Sequence, residues 1–157
     1  MKQSLKFFHS TYLISLIIFS SCSNGISPSK KDKIISVDSL NMLWNNAWNN
    51  QDSTGTVNLL AKDAILISGQ MQIKGSDSIS NKFVHHYIGK ITDLQSNVLQ
   101  TKAWEDMCYY TGTYSFNIIQ SGKKIGKEEG VYSFIWEKQS DNTFKLSVLH
   151  MEEYIKN

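Results

Sequence analysis

The apolar residues in the first half of the chain recur at helical spacing. Between residues 34 and 51 they lie three and four positions apart, which predicts an amphipathic helix. A second, shorter helix is predicted over 54–61, followed by short strands over 64–68 and 71–73. A third helix is predicted to begin after Gly75 and to end near Gly89.

From residue 91 onward the apolar residues alternate with polar ones. This pattern predicts four long strands, over 91–104, 107–119, 127–138 and 143–152, joined by short turns. Runs of about ten residues exceed the usual strand length and favour a strongly curved antiparallel sheet. Helices followed by antiparallel hairpins indicate the α+β class, with a cone-shaped curved sheet wrapped around the N-terminal helices.

The alternation also predicts which side chains share a face. On the last strand it puts Phe144, Leu146, Val148, His150 and Glu152 on the apolar inner face. On the two preceding strands the same face is predicted to carry Cys108, Tyr110, Gly112, Tyr114, Phe116, Ile118, Gly130, Tyr132, Phe134 and Trp136.

The opposite face of the sheet is not uniformly polar either. It is predicted to carry Tyr109, Val131, Ile135, Leu149 and Met151. A sheet that is apolar on both faces needs cover on both. The helices cover one face, so we expect a second copy of the chain to cover the other in a homodimer.

The N-terminal segment has the three-part layout of a secretory signal: an early positive charge, an apolar run, and small residues at its end. Its last residues, Ser20 and Ser21 before Cys22, resemble the lipobox of bacterial lipoproteins, in which the cysteine carries the lipid. An ordinary signal that is cut near Ser21 is the alternative. We therefore predict a signal peptide over 1–21, a lipidated Cys22 with a polar tether over 22–35, and one domain over 36–157.

Charge and composition limit the classes of partner that the protein is expected to bind. Loss of residues 1–21 removes two lysines and no acid, which leaves 14 lysines, 14 acidic residues and no net charge. Arginine is absent from the whole chain. Neither feature suits nucleic-acid binding, which relies on positive charge and on the guanidinium fork. We expect a cell-envelope protein that is held by its lipid outside the cytoplasmic membrane. If Cys22 carries lipid, Cys108 has no disulfide partner within the chain.

Several separated segments together resemble a known superfamily. They are Ala47–Asn49, Ala61–Ile67, Gly75 with Ile79 and Phe83, Tyr110–Tyr114, Gly130–Tyr132, Trp136, Phe144–Leu146 and His150. Over about 37–152 the chain resembles the nuclear transport factor 2-like superfamily, in its SnoaL-like and ketosteroid-isomerase-like branch. The resemblance implies a conical fold with a pocket at its wide end. Members of the superfamily include isomerases, cyclases and dehydratases, and many have no demonstrated chemistry.

The residues that we expect to line such a pocket are mostly aromatic. The candidate ligand-binding residues are Trp48, Tyr110, Tyr114, Tyr132, Trp136 and Glu152. Rings with a few hydroxyl groups suit a flat organic ligand, although plain core packing explains them equally well. His150 is the candidate catalytic residue, as a general acid or base. A core histidine that bonds a backbone carbonyl is the alternative.

Motifs for metal and nucleotide chemistry are absent from the sequence. It contains no HxxxH, HExxH, CxxC, GxSxG or P-loop pattern, so we expect no metal and no cofactor. Glu128 and Glu129 are interpreted as a solvated edge, and no carboxylate is assigned as an isomerase base. The favoured function is an anchored lipoprotein that binds a small apolar or aromatic molecule. The alternative is an isomerase, cyclase or dehydratase with His150 as general base.

Overall fold

The computed structural model describes residues 37–154. The predicted signal peptide over 1–21 and the lipidated Cys22 with its tether over 22–35 lie outside the described residues. So do residues 36 and 155–157 of the predicted domain. In the part of the chain that the structure describes, no helix combines the length and apolar character needed to span a membrane.

The helical segments precede the long strands, as predicted. Helix α1 spans Val37–Asn49 and α2 spans Ser53–Asn58. The third predicted helix is divided into α3 (Ser76–Ile79), a π-helical turn (Ser80–Val84) and α4 (His85–Tyr87). A π-helical turn widens the helix locally and often occurs at functional sites.

The second helix is shorter than the sequence predicts, because a strand begins earlier. The prediction of helix up to Ala61 is wrong: β1 begins at Leu60. Leu60 pairs with Leu146 of the last strand, and the Leu146 amide donates to the Leu59 carbonyl at 2.8 Å. These sheet hydrogen bonds satisfy backbone groups that a longer helix would otherwise have paired internally.

Six strands form one sheet in the order β2-β1-β6-β5-β4-β3. Their bounds are Leu60–Ser68 (β1), Met71–Lys74 (β2), Ile91–Ala103 (β3), Met107–Gln120 (β4), Lys123–Lys138 (β5) and Phe144–Glu153 (β6). All neighbouring strands are antiparallel except β1 and β6. The α+β prediction is confirmed.

The predicted faces of β4 and β5 are confirmed by the burial pattern. Buried and partly exposed residues alternate along β4, and the same pattern occupies the second half of β5. Cross-strand pairs such as Cys108 with Trp136 and Tyr110 with Phe134 bring the buried side chains together. α1 packs its buried Leu40, Trp44 and Trp48 toward this core.

The predicted face of β6 is wrong beyond Leu146, because a β-bulge reverses it. Trp136 pairs with Leu146, whereas its neighbour Ile135 pairs with Val148, so Ser147 is an extra residue in β6. The Ser147 hydroxyl donates to the Ile135 carbonyl at 3.1 Å and so bonds within the bulge. After a bulge, each following side chain points to the face opposite to the one that simple alternation predicts.

The bulge also changes the outer face on which the homodimer prediction rests. Leu149 is fully buried and Met151 packs against the core, so both lie on the inner face. Val148 pairs with Ile65 of β1 and Ile135 of β5, which adds aliphatic side chains to the outer face. The homodimer stays a prediction on this revised surface.

Candidate functional site

A cavity of about 310 Å³ lies between α1, the π-helical turn with α4, and the inner face of the sheet. Six of its fifteen lining residues are aromatic: Trp44, Trp48, Phe83, Tyr87, Tyr114 and Phe116. Aliphatic and sulfur-containing side chains from β2, β3 and β6 complete the apolar surface. The volume falls at the lower end of the range for small-molecule sites.

The helical aromatics hold one another in place. Trp44 and Trp48 are four residues apart and so lie on the same side of α1. Their ring centroids are 5.7 Å apart, and Trp48 makes an edge contact with Phe83 at the same distance. Phe83, in the π-helical turn, is 5.2 Å from Tyr87 in α4. This continuous row of rings forms the helical wall of the cavity.

The polar centre of the site is a glutamate with a tyrosine. Glu128 pairs with Phe116 across β4 and β5, on the inner face of the sheet. The Tyr114 hydroxyl donates a hydrogen bond to Glu128 Oε1 at 2.9 Å. Tyr114 pairs with Gly130, and a Cβ atom at Gly130 would lie 2.8 Å from the Tyr114 ring. The missing side chain therefore leaves the space that the tyrosine ring occupies.

Burial weakens the acidity of both partners. It raises the pKa of the Glu128 carboxyl, and the nearby Glu153 carboxylate raises it further, while the hydrogen bond from Tyr114 lowers it less than burial raises it. Burial also raises the pKa of the Tyr114 phenol, as does its hydrogen bond to Glu128. A carboxyl whose pKa is raised inside an apolar site is a better proton acceptor than an exposed one, and a neutral phenol is a hydrogen-bond donor.

The rim of the cavity is acidic. Glu153, at the end of β6, pairs with Gly130 and lines the cavity together with Glu128. A second hollow of about 430 Å³ adjoins the cavity, and four residues line both: Tyr87, Ile91, Phe116 and Glu128. Glu128 therefore borders both spaces.

The structure brings only some of the predicted ligand-binding residues to the cavity. Trp48, Tyr114 and Glu152 line it. Tyr110 and Trp136 are completely buried in the core and are not among the lining residues. Tyr132 also lies away from the lining residues.

Tyr132 takes part in a buried polar network under α1. Its hydroxyl accepts a hydrogen bond from Asn41 Nδ2 and also interacts with Ser96, which in turn accepts from Asn45 Nδ2 at 2.7 Å. These bonds join α1 to β3 and β5. The Tyr132 hydroxyl therefore has a partner within the protein, and Tyr132 is not among the residues that line the cavity.

His150 lies on the outer face of the sheet, so its predicted inward position is wrong. It follows the Ser147 bulge and pairs with Ser133 of β5. Its Nε2 is 3.3 Å from Glu152 Oε1, and the two side chains are 45% and 41% exposed. Glu152 thus pairs with His150 on the outer face and is also among the residues that line the cavity. The structure does not bring His150 together with the aromatic residues of the cavity.

The interpretation of Glu128 as a solvated edge residue is also wrong. Glu128 is half-buried and hydrogen-bonded to Tyr114. The alternation that puts Gly130 and Tyr132 on the inner face extends back to Glu128, so this signal was present in the sequence.

Cys108 is a buried free thiol, and burial raises its pKa. Among the described residues there is no group of three side chains that could hold a metal ion.

Comparisons with known proteins find similarity in structure alone. The sequence matches no protein-family model and no curated protein. A ketosteroid isomerase-like protein from Erwinia carotovora has a TM-score of 0.68 at 9% identity, over 80% of this chain and 99% of that one. A nuclear transport factor 2-like superfamily protein from Salmonella enterica has a TM-score of 0.64 at 13% identity, over 76% and 89%.

A third solved structure agrees with these two. A candidate dehydratase of the nuclear transport factor 2-like family from Streptomyces avermitilis has a TM-score of 0.62 at 12% identity, over 78% of this chain and 97% of that one. At these identities the likeness concerns the arrangement of helices and strands and carries no assignment of activity. The chain described here has the nuclear transport factor 2-like fold.

Proposed function

We propose that this domain binds a small, largely apolar or aromatic molecule in the cavity between α1 and the sheet. The cavity itself carries the proposal: about 310 Å³ of space walled by aromatic rings, with one hydrogen-bonded carboxyl inside it. A site of this composition buries a flat organic body and leaves few polar groups to orient it. Proteins of the same fold that are described as ketosteroid isomerase-like or as a candidate dehydratase are consistent with this use.

A pair of variants on β2 tests whether the cavity is the binding site. Met71 lines the cavity, whereas Gln72 beside it is exposed. Met71→Trp fills part of the space, and Gln72→Trp adds the same ring outside it. We expect small aromatic compounds that raise the melting temperature of the wild-type chain to lose this effect with Met71→Trp only. Equal effects in both variants, or no stabilising compound in a broad aromatic and terpenoid set, would contradict the proposal.

Proton transfer on the bound molecule is the second candidate function. The Glu128 carboxyl and the Tyr114 hydroxyl, 2.9 Å apart, favour it. Glu128 would accept a proton from carbon next to a carbonyl group, which leaves an enolate. The Tyr114 hydroxyl would release its hydrogen bond to Glu128 and donate to the enolate oxygen instead. This assignment replaces His150 as the proposed general base.

Hydrogen–deuterium exchange checks this second candidate. Cyclic ketones incubated with the protein in deuterated water should gain deuterium next to the carbonyl group. We expect Glu128→Gln to slow this exchange by at least about 100-fold, as loss of a general base does. Loss of exchange in His150→Ala, with normal rates in Glu128→Gln, would instead support the base predicted from the sequence.

We propose further that the domain is exported and anchored outside the cytoplasmic membrane through a lipid on Cys22. The signal-like pattern of residues 1–22 supports this. Cells grown with an alkyne-labelled fatty acid should incorporate the label into the wild-type chain and not into Cys22→Ser. Label in both chains, or in neither, would contradict the anchor.

A further inference from the structure

We propose that the molecule bound in the cavity is an organic cation, with an amine or ammonium group on a flat apolar body. This inference rests on the proposed binding function and specifies its ligand class. It joins two features of the same cavity: walls made of aromatic rings and a polar centre made of carboxylates. Neither feature would define the ligand alone.

The charged groups at the cavity are all acidic. Glu128, Glu152 and Glu153 line it, and no lysine does. Glu152 also pairs with His150 on the outer face of the sheet. Arginine does not occur in the chain. Lys127, the neighbour of Glu128 in sequence, pairs with Glu129 at 2.6 Å. Lys90 borders only the adjoining hollow.

Two of these carboxylates, those of Glu128 and Glu153, repel each other, and the lining residues include no lysine. Glu153 disfavours ionisation of Glu128, and desolvation acts in the same direction. A ligand cation between them would offset the repulsion and the desolvation cost of Glu128 together. A ligand anion would add a further negative charge to those of the lining glutamates, and no lysine is among the lining residues to receive it.

The aromatic rings that line the cavity also favour a positively charged ligand. The faces of tryptophan, tyrosine and phenylalanine carry partial negative charge and attract cations. Trp44, Trp48, Phe83 and Tyr87 form the helical wall, and Tyr114 stacks on Phe116 at 5.7 Å on the sheet side. A cationic group near Glu128 would therefore meet ring surface as well as carboxylate oxygen. The apolar part of the ligand would fill the remaining space.

Three probes of equal shape test this ligand class with the full-length protein. They are 1-naphthylmethylamine, the neutral 1-naphthylmethanol and the anionic 1-naphthoate, titrated by calorimetry at pH 7. We expect the amine to bind at least about tenfold more tightly than the alcohol, and the naphthoate to bind most weakly. Added salt should weaken the binding of the amine more than that of the alcohol.

Matched variants connect the preference to the named residues. Glu128→Gln should reduce the amine-over-alcohol preference by about tenfold. Glu153→Gln, at the exposed rim, should reduce it by about two- to fivefold, and it serves as the second variant if Glu128→Gln fails to fold. Glu137→Gln makes the same charge change on an exposed position of β5 away from the cavity and should leave the preference unchanged.

The outcomes separate this inference from the proposed binding function. If the alcohol or the naphthoate binds as tightly as the amine, and Met71→Trp abolishes that binding, the cavity binds ligands but the cation assignment is wrong. A preference that survives both Glu128→Gln and Glu153→Gln would also overturn the assignment. If none of the three probes binds, the cation assignment is wrong, and the aromatic and terpenoid screen still decides the binding function separately.

Discussion

A Gly130→Ala variant tests whether Tyr114 lies across β5 as the structure describes. A methyl group at Gly130 would lie 2.8 Å from two atoms of the Tyr114 ring and would overlap the backbone carbonyl oxygen of Glu152. The ring could turn away, but the carbonyl belongs to the β6 backbone and moves only if the pairing of β5 with β6 shifts. Gly126→Ala is the matched control, because its methyl group would meet only Ile118 Cδ1 at 3.7 Å, an ordinary contact.

The expected changes in the free energy of unfolding follow from the close contact at Gly130 and the ordinary contact at Gly126. Overpacking of this kind costs about 1–3 kcal/mol, and a clash with backbone favours the upper half of that range. Replacing glycine by alanine without strain stabilises by about 0.4–1 kcal/mol, because the unfolded chain loses conformational freedom. We therefore expect Gly130→Ala to be less stable than wild type by about 2 kcal/mol, and Gly126→Ala to be equally or more stable.

Urea denaturation of the three proteins measures the difference. The two variants should differ by about 2–3 kcal/mol, so for a slope of about 1–3 kcal/mol per molar urea their midpoints should differ by roughly 0.7–3 M. Equal midpoints for Gly130→Ala and Gly126→Ala would refute the close packing of Tyr114 and Glu152 around Gly130. The hydrogen bond from Tyr114 to Glu128 would then have no structural basis.

Three further outcomes are expected from the same structure. Burial raises the pKa of Glu128, so as pH rises from about 4.5 the unfolded chain loses the proton of this carboxyl before the folded chain does. The free energy of unfolding of wild type should therefore fall relative to that of Glu128→Gln over this pH range. A constant difference between the two proteins would contradict the burial of the carboxyl. Tyr132→Phe removes the acceptor of the buried Asn41 amide and should lower the free energy of unfolding by about 1–3 kcal/mol in urea denaturation. A loss below about 0.5 kcal/mol would mean that Asn41 does not bond to Tyr132. His150→Ala breaks only a half-exposed pair with Glu152 and should cost less than about 1 kcal/mol; a loss of 2 kcal/mol or more would indicate a buried histidine.

Local periodicity determined much of the fold. The change from helical spacing to alternation near residue 91 divides the helices from the four long strands, because each element must bury one side of its own repeat. The inward positions of Tyr110, Tyr114, Tyr132 and Trp136 follow from the same rule. Each conclusion depends on residues close together in sequence, so the sequence alone was sufficient.

Tertiary contacts determined the features of the site that local periodicity does not predict. The Ser147 bulge depends on how β6 pairs with β5, and it moves His150 from the predicted inner face to the outer one. Which inward residues line the cavity depends on where α1 and the π-helical turn pack. The role of Glu128 requires the Tyr114 ring to cross the space that Gly130 leaves open. The sequence alone determined which side chains share a face along each uninterrupted strand, because that depends on local alternation. Strand register and helix packing decided where the alternation breaks and which inward side chains surround an open space.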